Sequence, residues 1–190
     1  MFENFRITIH SLGKFSEKDV DFLVDHLKVE SYPKGYCLLN EGKICQSIYF
    51  INQGSLRQYY IAETGDEIIQ NLFIENDWVL EYKSFTSQKH STSIIEVTED
   101  SEVLNLSVYD LHKLMKISDA YFQIARIFQY AIDRQEYKTQ KLSPKDRYID
   151  LLTNKPKIIQ RFPLKYIASY LDMTPETLSR VRRRASKLII

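Results

Sequence analysis

The sequence is poor in cysteine, glycine and proline: its 190 residues include two cysteines, five glycines and five prolines. So little glycine and proline excludes a collagen-like chain and a low-complexity protein. The two cysteines, Cys37 and Cys45, are too few for a disulfide framework, a four-ligand zinc site or an iron–sulfur cluster. We expect both to be buried, inert thiols, with a redox sensor as the alternative.

Long apolar runs are also missing, and no stretch approaches the ~18 consecutive apolar residues of a membrane-spanning helix. The segment Met1–Arg6 lacks the basic residues and apolar core that begin a secretory signal. These absences predict a cytoplasmic protein without a membrane partner. The sequence also has no glycine-rich phosphate loop, no nucleophile elbow and no metal-type histidine pair. It therefore predicts neither an enzyme nor a metal centre.

Charge is distributed unevenly along the chain, although the net charge is only +1. From Pro144 to Ile190 there are eleven lysine or arginine residues and four acidic residues, a net charge of +7. The first 143 residues therefore carry −6. An acidic body with a basic C-terminal quarter predicts two functional parts, of which the basic one meets a polyanion.

Residues 16–28 have the spacing of an amphipathic helix capped by Ser16, and residues 32–106 alternate short apolar or aromatic runs with turns. Strands at this regular spacing predict a β-barrel or β-sandwich. After a short helix over residues 107–115, we expect Asp119 to cap a long helix that ends near Lys141. Its broad apolar stripe favours a helix that packs on the barrel and on a partner helix, and the alternative is packing on its own domain alone.

Leu142-Ser143-Pro144 interrupts the helical pattern and predicts a domain boundary. Four short helices are expected beyond it, over about 144–153, 158–160, 164–171 and 175–188, although residues 156–163 could instead supply a strand or loop of a wing. The last two helices form a helix-turn-helix pattern. Ile167, Ala168 and Leu171 line the inner face of the first helix, and Leu178 and Val181 line that of the second. Thr174 is a typical N-cap, followed by proline at the first helical position.

The outward face of the second helix has the chemistry of a DNA-reading helix, whose N-terminal residues enter the major groove. Glu176 can accept a hydrogen bond from cytosine N4, and Arg180 can donate to guanine O6 and N7. Backbone and hydroxyl groups near the helix start can hold phosphates. The alternative is an exposed basic helix with an i,i+4 ion pair. The predicted DNA-binding residues are Ser169, Thr174, Pro175, Glu176, Thr177, Ser179, Arg180, Arg183 and Arg184.

The segments 167–171 and 174–180 resemble the helix-turn-helix of the Crp/Fnr (cyclic-AMP receptor protein/fumarate-nitrate regulator) family, including its Glu-Thr-x-x-Arg pattern at Glu176–Arg180. Glu41-Gly42, Tyr49–Ile51, Gly54, Tyr59-Tyr60 and Gly65–Glu67 resemble the family's cyclic-nucleotide-binding β-roll. Asp172 departs from the glycine common in the family's turn, but Asp tolerates left-handed backbone better than most residues.

The resemblance implies an α+β fold with three parts. These are a cyclic-nucleotide-binding-like β-roll sensor domain (1–118), a dimerisation helix (119–142) and a C-terminal winged helix-turn-helix DNA-binding domain (143–190). It also implies a homodimer. The dimer-helix residues are expected to be Ile124, Ile127, Phe128 and Ala131.

The phosphate cassette of the family is absent, because no glycine follows Gly65 and no arginine stands where the cassette needs one. Lys89 and His90 occupy that region and offer no planar bidentate fork. We therefore expect no cofactor and no binding of cyclic AMP, with the effector unknown. A different small-molecule effector is a candidate partner. Its pocket would be lined by Tyr59, Trp78, Glu81, Tyr82, Lys89 and His90, although aromatic residues in a β-roll more often belong to the core.

Taken together, these features predict a cytoplasmic, homodimeric, sequence-specific transcription regulator that binds a pseudo-palindromic DNA site. RNA polymerase is a further candidate partner, although no contact patch for it is identifiable. The competing hypothesis is a cyclic-nucleotide or other small-ligand sensor, or an interaction module, that does not read DNA.

Overall fold

The N-terminal part of the chain is a β-roll and the C-terminal part is a group of short helices, which confirms the predicted fold class. The structure is a computed structural model that describes residues 2–139 and 142–185. The strands of the β-roll are β1 (Lys28–Tyr32), β2 (Cys37–Leu39), β3 (Ser47–Gln53), β4 (Leu56–Ile61), β5 (Glu67–Phe73), β6 (Trp78–Val79), β7 (Ile94–Val97) and β8 (Ser101–Ser107).

Two antiparallel sheets of four strands make up the roll, with the strand orders β1-β8-β3-β6 and β2-β7-β4-β5. Side chains alternate between the faces of a strand, so Ile48 and Phe50 of β3 are fully buried while Ser47 and Tyr49 are half-buried. Both sheets contribute to one core, in which each fully buried Leu, Ile or Phe stabilises the fold by ~1.5–3 kcal/mol.

Two N-terminal helices, α1 (Glu3–Leu12) and α2 (Glu17–Asp25), pack against this core. The helix predicted from residue 16 is confirmed as α2. Ser16 Oγ accepts a hydrogen bond from the Asp19 backbone at 3.2 Å, and the Asp19 carboxylate accepts one from the Ser16 backbone at 2.9 Å. This reciprocal pair satisfies two amide groups that a helix start leaves unpaired. The sequence analysis did not predict α1, nor α3 (Tyr82–Ser87), which follows β6.

A tight turn at Gly54 joins β3 to β4 and brings the chain close to β8. Gly54 has φ +105°, and a Cβ atom there would lie 2.0 Å from Ser101 Oγ. Only glycine fits this position without displacing the neighbouring strand. The turn thereby sets where β4 and β5 begin, and these two strands carry the surface on which the C-terminal helices rest.

After β8, the short helix predicted over residues 107–115 is confirmed, but the long helix predicted from Asp119 begins as a 3₁₀-helix. Helix α4 (Val108–Ile117) is followed by a 3₁₀-helix (Asp119–Ala125) and then by α5 (Arg126–Thr139). Ser118, not Asp119, is the cap: its hydroxyl accepts a hydrogen bond from the Ala120 backbone at 3.2 Å. The predicted helix end near Lys141 lies outside the described residues.

Four helices follow residue 142. Ser143 caps the first by accepting a hydrogen bond from the Asp146 backbone at 3.2 Å. The segment around residues 156–161, for which a helix and a wing strand were both considered, is helical. Residues 186–190, which include the predicted end of the last helix at about 188, lie outside the described residues. The helices are α6 (Pro144–Asn154), α7 (Pro156–Arg161), α8 (Leu164–Tyr170) and α9 (Pro175–Ala185).

The C-terminal helices pack on the outer face of the sheet that contains β4 and β5. Tyr59, Ile69 and Leu72 of these strands are at least nine-tenths buried, in one apolar cluster with side chains from α6 to α9. One strand face therefore serves the core of the roll, and the other serves the contact with the helices. Alternation along the strands makes both contacts possible, and a register shift between Gln58 and Tyr59 lets Ile69 and Leu72 share the outer face although they are three positions apart.

Candidate nucleic-acid interface

Helices α8 and α9 form a helix-turn-helix with the inner face that the sequence predicts. Ile167, Ala168 and Leu178 are fully buried between the helices, and Val181 is more than nine-tenths buried. The turn is closed by a hydrogen bond of 2.9 Å from the Met173 backbone to the Ala168 carbonyl. Small side chains such as Ala168 let two helices cross at short distance, so the position of α9 is fixed by packing.

Asp172 takes the left-handed conformation in this turn, with φ +53°. Its carboxylate lies 3.2 Å from a guanidinium nitrogen of Arg147 in α6, and the same nitrogen donates to the Leu171 carbonyl at 3.0 Å. The departure from glycine is therefore accommodated locally. Asp is among the few residues that adopt this backbone at modest cost, and the arginine contact stabilises the turn further.

The start of α9 is capped as predicted. Thr174 Oγ1 accepts a hydrogen bond from the Thr177 backbone at 3.2 Å. Pro175 stands at the first helical position, where a missing N–H costs nothing. The helix N-terminus therefore points its remaining amide groups outward, which suits an approach to phosphate.

The outward side of α9 is polar and open to solvent. Of the residues predicted to contact DNA, Thr177 and Ser169 are half-buried and the others are exposed: Thr174, Pro175, Glu176, Ser179, Arg180, Arg183 and Arg184. Eight of these nine lie together on the turn and α9. Ser169 lies apart from them, on the face of α8 that meets the β-roll.

Charges on α9 are arranged along its axis. A hydrogen bond from the helix backbone and one from Thr174 lower the pKa of Glu176, with a smaller contribution from the nearby Arg180. Arg180 donates to Thr177 Oγ1 at 3.2 Å, which holds the guanidinium beside the helix start. The carboxylate of Glu176 and the guanidinium of Arg180 thus stand one helical turn apart on one face of α9.

Ser169 is engaged by the β-roll. Its hydroxyl accepts a hydrogen bond from the Ile69 backbone of β5 at 2.9 Å and lies 3.5 Å from the Glu67 carbonyl. The predicted phosphate contact of Ser169 is therefore unavailable in this arrangement of the two parts.

Arg57 of β4 is the principal polar residue that the sequence analysis missed. It is 96% buried, and its guanidinium lies 2.5 Å from Glu67 and 2.7 Å from Glu96. Burial lowers the pKa of Arg57, but the hydrogen bonds to the two carboxylates outweigh burial and raise it. The guanidinium carbon also lies 4.1 Å from the ring centre of Tyr59 and 4.5 Å from that of Tyr166 in α8. A charged residue in a short strand whose other residues, apart from Gln58, are apolar or aromatic was the available signal.

A second ionic contact joins α7 to the β-roll. Arg161 pairs with Glu75, and its Nε lies 2.6 Å from Glu99. These hydrogen bonds raise the pKa of Arg161. Glu75 in turn accepts a hydrogen bond from the Gly54 backbone at 3.1 Å, so its carboxylate is fixed from both sides.

The six candidate pocket residues do not form one site. Of the six, only Trp78 and Tyr82 line a common cavity, of about 510 Å³, whose other walls come from α1, β4, β5, α5, α6 and α8. Tyr59 lies on the outer sheet face, where its hydroxyl donates to Glu96 at 3.1 Å. Glu81 caps α3 through the backbone of Lys83 and Ser84, at 3.3 and 2.6 Å.

Lys89 and His90 lie at the far end of the α3 segment. The Lys89 carbonyl accepts a hydrogen bond from Ser84, and His90 Nδ1 lies 2.7 Å from the Gly42 carbonyl. Leu80, in the stretch where the family has a glycine, is 96% buried. Among the described residues, no arginine faces this region.

Of the four residues expected to form a dimer seam, Ile124 and Ile127 face the chain's own core, whereas Phe128 and Ala131 are half-buried and their place in a seam stays a prediction. Ile124 and Ile127 are 99% buried against the chain's own core, and Phe128 packs on Tyr82 and Phe85 at centroid distances of 6.0 and 5.6 Å. Ala131 is half-buried against the same core. The physical reason is that an apolar stripe shows which residues share a face, but not whether that face meets the chain's own core or a partner helix. Among the side chains described in this segment, the exposed large apolar ones are Phe122 and Tyr130.

Two negative observations concern only residues 2–139 and 142–185. No helix in this part of the chain has the length and apolarity needed to cross a membrane. No group of three or more metal-ligating side chains occurs in it either.

Comparison with known proteins gives matches to both parts. The family model described as a cyclic nucleotide-binding domain matches residues 29–118. The fumarate and nitrate reduction regulatory protein of Yersinia pestis is 27% identical over 169 residues, which cover 81% of this chain and 67% of that protein.

A second regulator and a solved structure also match this chain. The cAMP-activated global transcriptional regulator CRP of Salmonella typhimurium is 21% identical over 108 residues, covering 56% of this chain. The chain matches about half the length of that regulator, 51%. The structure of FixK2 from Bradyrhizobium japonicum superposes with a TM-score of 0.70 at 17% identity, covering 86% of each chain. At this identity the superposition establishes the fold.

The β-roll, the helix that leaves it, the helix-turn-helix and the matches to these regulators agree with the resemblance of the sequence motifs. In its sequence motifs, its fold and these matches, the chain is similar to the transcription regulators of the Crp/Fnr family.

Proposed function

We propose that the protein is a sequence-specific DNA-binding transcription regulator that acts as a homodimer in the cytoplasm. The observation that carries the proposal is the exposed face of α9, where Glu176 and Arg180 lie one turn apart behind the Thr174 cap. Glutamate and arginine at this spacing match the exposed edges of cytosine and guanine in the major groove. The exposed arginines Arg182, Arg183 and Arg184 supply positive charge next to this face.

A dimer would set the distance between its two copies of α9. Two copies of α9 related by a two-fold axis enter successive major grooves, so the half-sites lie about one helical turn apart, roughly 34 Å. The exposed Phe122 and Tyr130 provide an apolar surface for the second copy. The expected target is therefore a pseudo-palindrome. RNA polymerase is the expected partner at a promoter, because members of this family regulate transcription.

The test is selection of binding sites from random duplex DNA, followed by a titration at several salt concentrations. The proposal predicts a two-fold symmetric consensus and a specificity ratio of ~10³ or more over unrelated DNA. Binding of all sequences with equal affinity would contradict sequence-specific reading. Absence of binding in the presence and absence of cell metabolites would favour the competing role as an interaction module.

Sensing of a small molecule is the second candidate function, and the cavity of about 510 Å³ favours it. This volume is within the range of ligand sites. The wall includes aromatic side chains and the amides of Gln58 and Asn71, which suit an uncharged polar ligand. Cyclic AMP does not fit this proposal, because its phosphate needs an arginine fork and close backbone amides. We therefore propose no cofactor, and a ligand other than a cyclic nucleotide.

A further inference from the structure

The C-terminal helices contact the β-roll of the same chain through an apolar centre and the polar interactions that surround it. We call this the docking contact and define it by Arg57, Glu67, Glu75 and Glu99 on the β-roll and by Arg161, Tyr166 and Ser169 on the C-terminal helices. Its centre is apolar: Tyr59, Ile69 and Leu72 are buried together with Ile167 and Tyr170. Burial of this apolar area favours association of the two parts.

The polar interactions surround that centre. Arg57 lies between the rings of Tyr59 and Tyr166, and Arg161 bridges Glu75 and Glu99. The side chains of Glu99 and Arg161 remain 39% and 29% accessible to solvent. Contacts of this mixed, partly hydrated kind between parts of one chain resemble transient protein interfaces and open more readily than a continuous core.

The docking contact occupies groups that a DNA backbone would need. The first helix of a helix-turn-helix crosses the phosphate backbone while the second enters the groove. Here the first helix is α8, and its Ser169 hydroxyl already accepts a hydrogen bond from β5. The carboxylate of Glu67 also lies close enough to Lys165 of α8 for that lysine to lower its pKa. An anionic side chain beside α8 repels phosphate.

We propose that the docking contact is an intramolecular restraint that must open before α8 can lie along a DNA backbone. The inference rests on the proposed DNA-binding function and adds a closed form to it. In the closed form α9 remains exposed but α8 is held by the β-roll. In the open form Ser169 and Lys165 are released to contact phosphates, and the acidic strand no longer adjoins them.

Trp78 provides a readout of opening that needs no DNA. It is the single tryptophan of the chain, and it lines the same cavity as Leu151 of α6 and Tyr170 of α8. Its other contacts, Phe5 and Phe50, lie within the β-roll and persist when the helices move away. Opening should therefore increase quenching of Trp78 fluorescence by acrylamide, while circular dichroism stays unchanged.

The experiment compares the full chain carrying Glu75→Gln and Glu99→Gln with a control carrying Glu41→Gln and Glu63→Gln. Both pairs remove two negative charges from the β-roll, but the side chains of the control pair are exposed and take no part in the ion pairs of Arg57 and Arg161 that define the contact. The proposal predicts at least a twofold larger quenching constant and a several-fold tighter affinity for a selected DNA site in the first variant. The control should match the wild-type chain in quenching.

A second comparison changes residues of α7 instead of residues of the β-roll. Arg161→Gln removes the bridging guanidinium, and Lys157→Gln removes an exposed charge from the same helix. Arg161→Gln should increase Trp78 quenching and bind DNA more tightly than Lys157→Gln, although both lose one positive charge.

Each outcome of these comparisons has a defined meaning. Equal quenching in each variant and its control would overturn the restraint. Increased quenching with unchanged or weaker DNA binding would also overturn it, because opening would then not assist α8. Increased quenching in a protein that binds no DNA in any form would support the docking contact and contradict the proposed function instead.

Discussion

The guanidinium of Arg57 in the β-roll lies over the ring of Tyr166 in the helix-turn-helix, 4.5 Å from the guanidinium carbon to the ring centre. Tyr166 is two residues from the start of α8, and Arg57 is held in place by two carboxylates. The position of the helix-turn-helix is therefore tied to a charged group whose own neighbours belong to the β-roll.

Replacement of Tyr166 tests the strength of this contact. Tyr166→Leu removes the aromatic face and should weaken docking by about 1 kcal/mol, a factor of roughly five, because cation–π pairs contribute ~0.5–2 kcal/mol. Tyr166→Phe keeps the ring and should behave like the wild-type chain. Acrylamide quenching of Trp78 measures the difference, and equal quenching in the two variants would show that the ring contributes nothing to docking.

Acid should open the docking contact. The hydrogen bond from Arg57 holds the pKa of Glu67 below its ordinary value of 4.5, and Lys165 lowers it further. Burial raises the pKa of Glu75, but hydrogen bonds from Arg161 and the backbone outweigh it, so this pKa is lowered too. Carboxylates with lowered pKa stabilise the docked form above about pH 4.5, and this stabilisation is lost as the pH falls through their docked values.

The measurement is Trp78 quenching between pH 7 and pH 3.5, restricted to conditions in which circular dichroism shows the folded chain. Quenching should rise below about pH 4.5 in the wild-type chain. It should rise less in the Glu75→Gln, Glu99→Gln variant, because Glu75, whose pKa is lowered in the wild-type chain, has been replaced by a side chain that does not titrate. A flat profile in the folded wild-type chain would contradict the role assigned to these carboxylates.

The sequence analysis predicted the elements whose signals are local, and it missed those set by packing. The Thr174 cap, the Pro175 start and the inner face with Ala168 all follow from short-range rules, and each is present. The placement of Ser169 depends on β5, which is a hundred residues away in sequence, and no local pattern contains that information.

The helix after β8 shows the same limit. The apolar residues after Asp119 correctly predicted that this segment is helical. They did not predict that its first turns, Asp119–Ala125, form a 3₁₀-helix, in which side chains are spaced differently around the axis. A 3₁₀-helix has 3.0 residues per turn rather than 3.6, so a few residues of it rotate every later side chain. The assignment of Ile124 and Ile127 to a dimer seam was wrong for a separate reason: their spacing places them on one face, but does not reveal that this face meets the chain's own core.

Dimerisation is therefore expected through the exposed side of this segment. Phe122 and Tyr130 are 56% and 48% exposed, and their replacement by Glu should produce a folded monomer because a charge opposes burial of the seam. Light scattering after size exclusion measures the mass. A Tyr130→Glu, Phe122→Glu variant that remains dimeric would refute this placement.

Ile127→Glu is the matched contrast. Ile127 is 99% buried within the chain, so an unpaired carboxylate there should destabilise the fold by about 3 kcal/mol or more. We expect a fall in the melting temperature of the chain rather than a clean monomer. An Ile127→Glu variant with unchanged melting temperature would contradict the assignment of this residue to the core.

Cyclic nucleotides should not bind. The Glu81 carboxylate is occupied by the backbone of α3, Leu80 stands in place of a small residue, and Lys89 and His90 offer no arginine fork. Calorimetric titration with cyclic AMP and cyclic GMP should give no heat of binding up to millimolar ligand. Micromolar affinity accompanied by tighter DNA binding would overturn this prediction.

The most direct test of the account is a double-mutant cycle between Arg180 and one guanine of a selected DNA site. Wild-type and Arg180→Ala proteins are titrated against the selected site and against sites with each base pair replaced. Arg180→Ala should cost ~1–3 kcal/mol on the selected site and should remove the preference for guanine at one position in each half-site. Lys165→Ala, as the phosphate-contact control, should weaken all sites about equally. Unchanged base preference in Arg180→Ala would contradict the assignment of α9 as the DNA-reading helix.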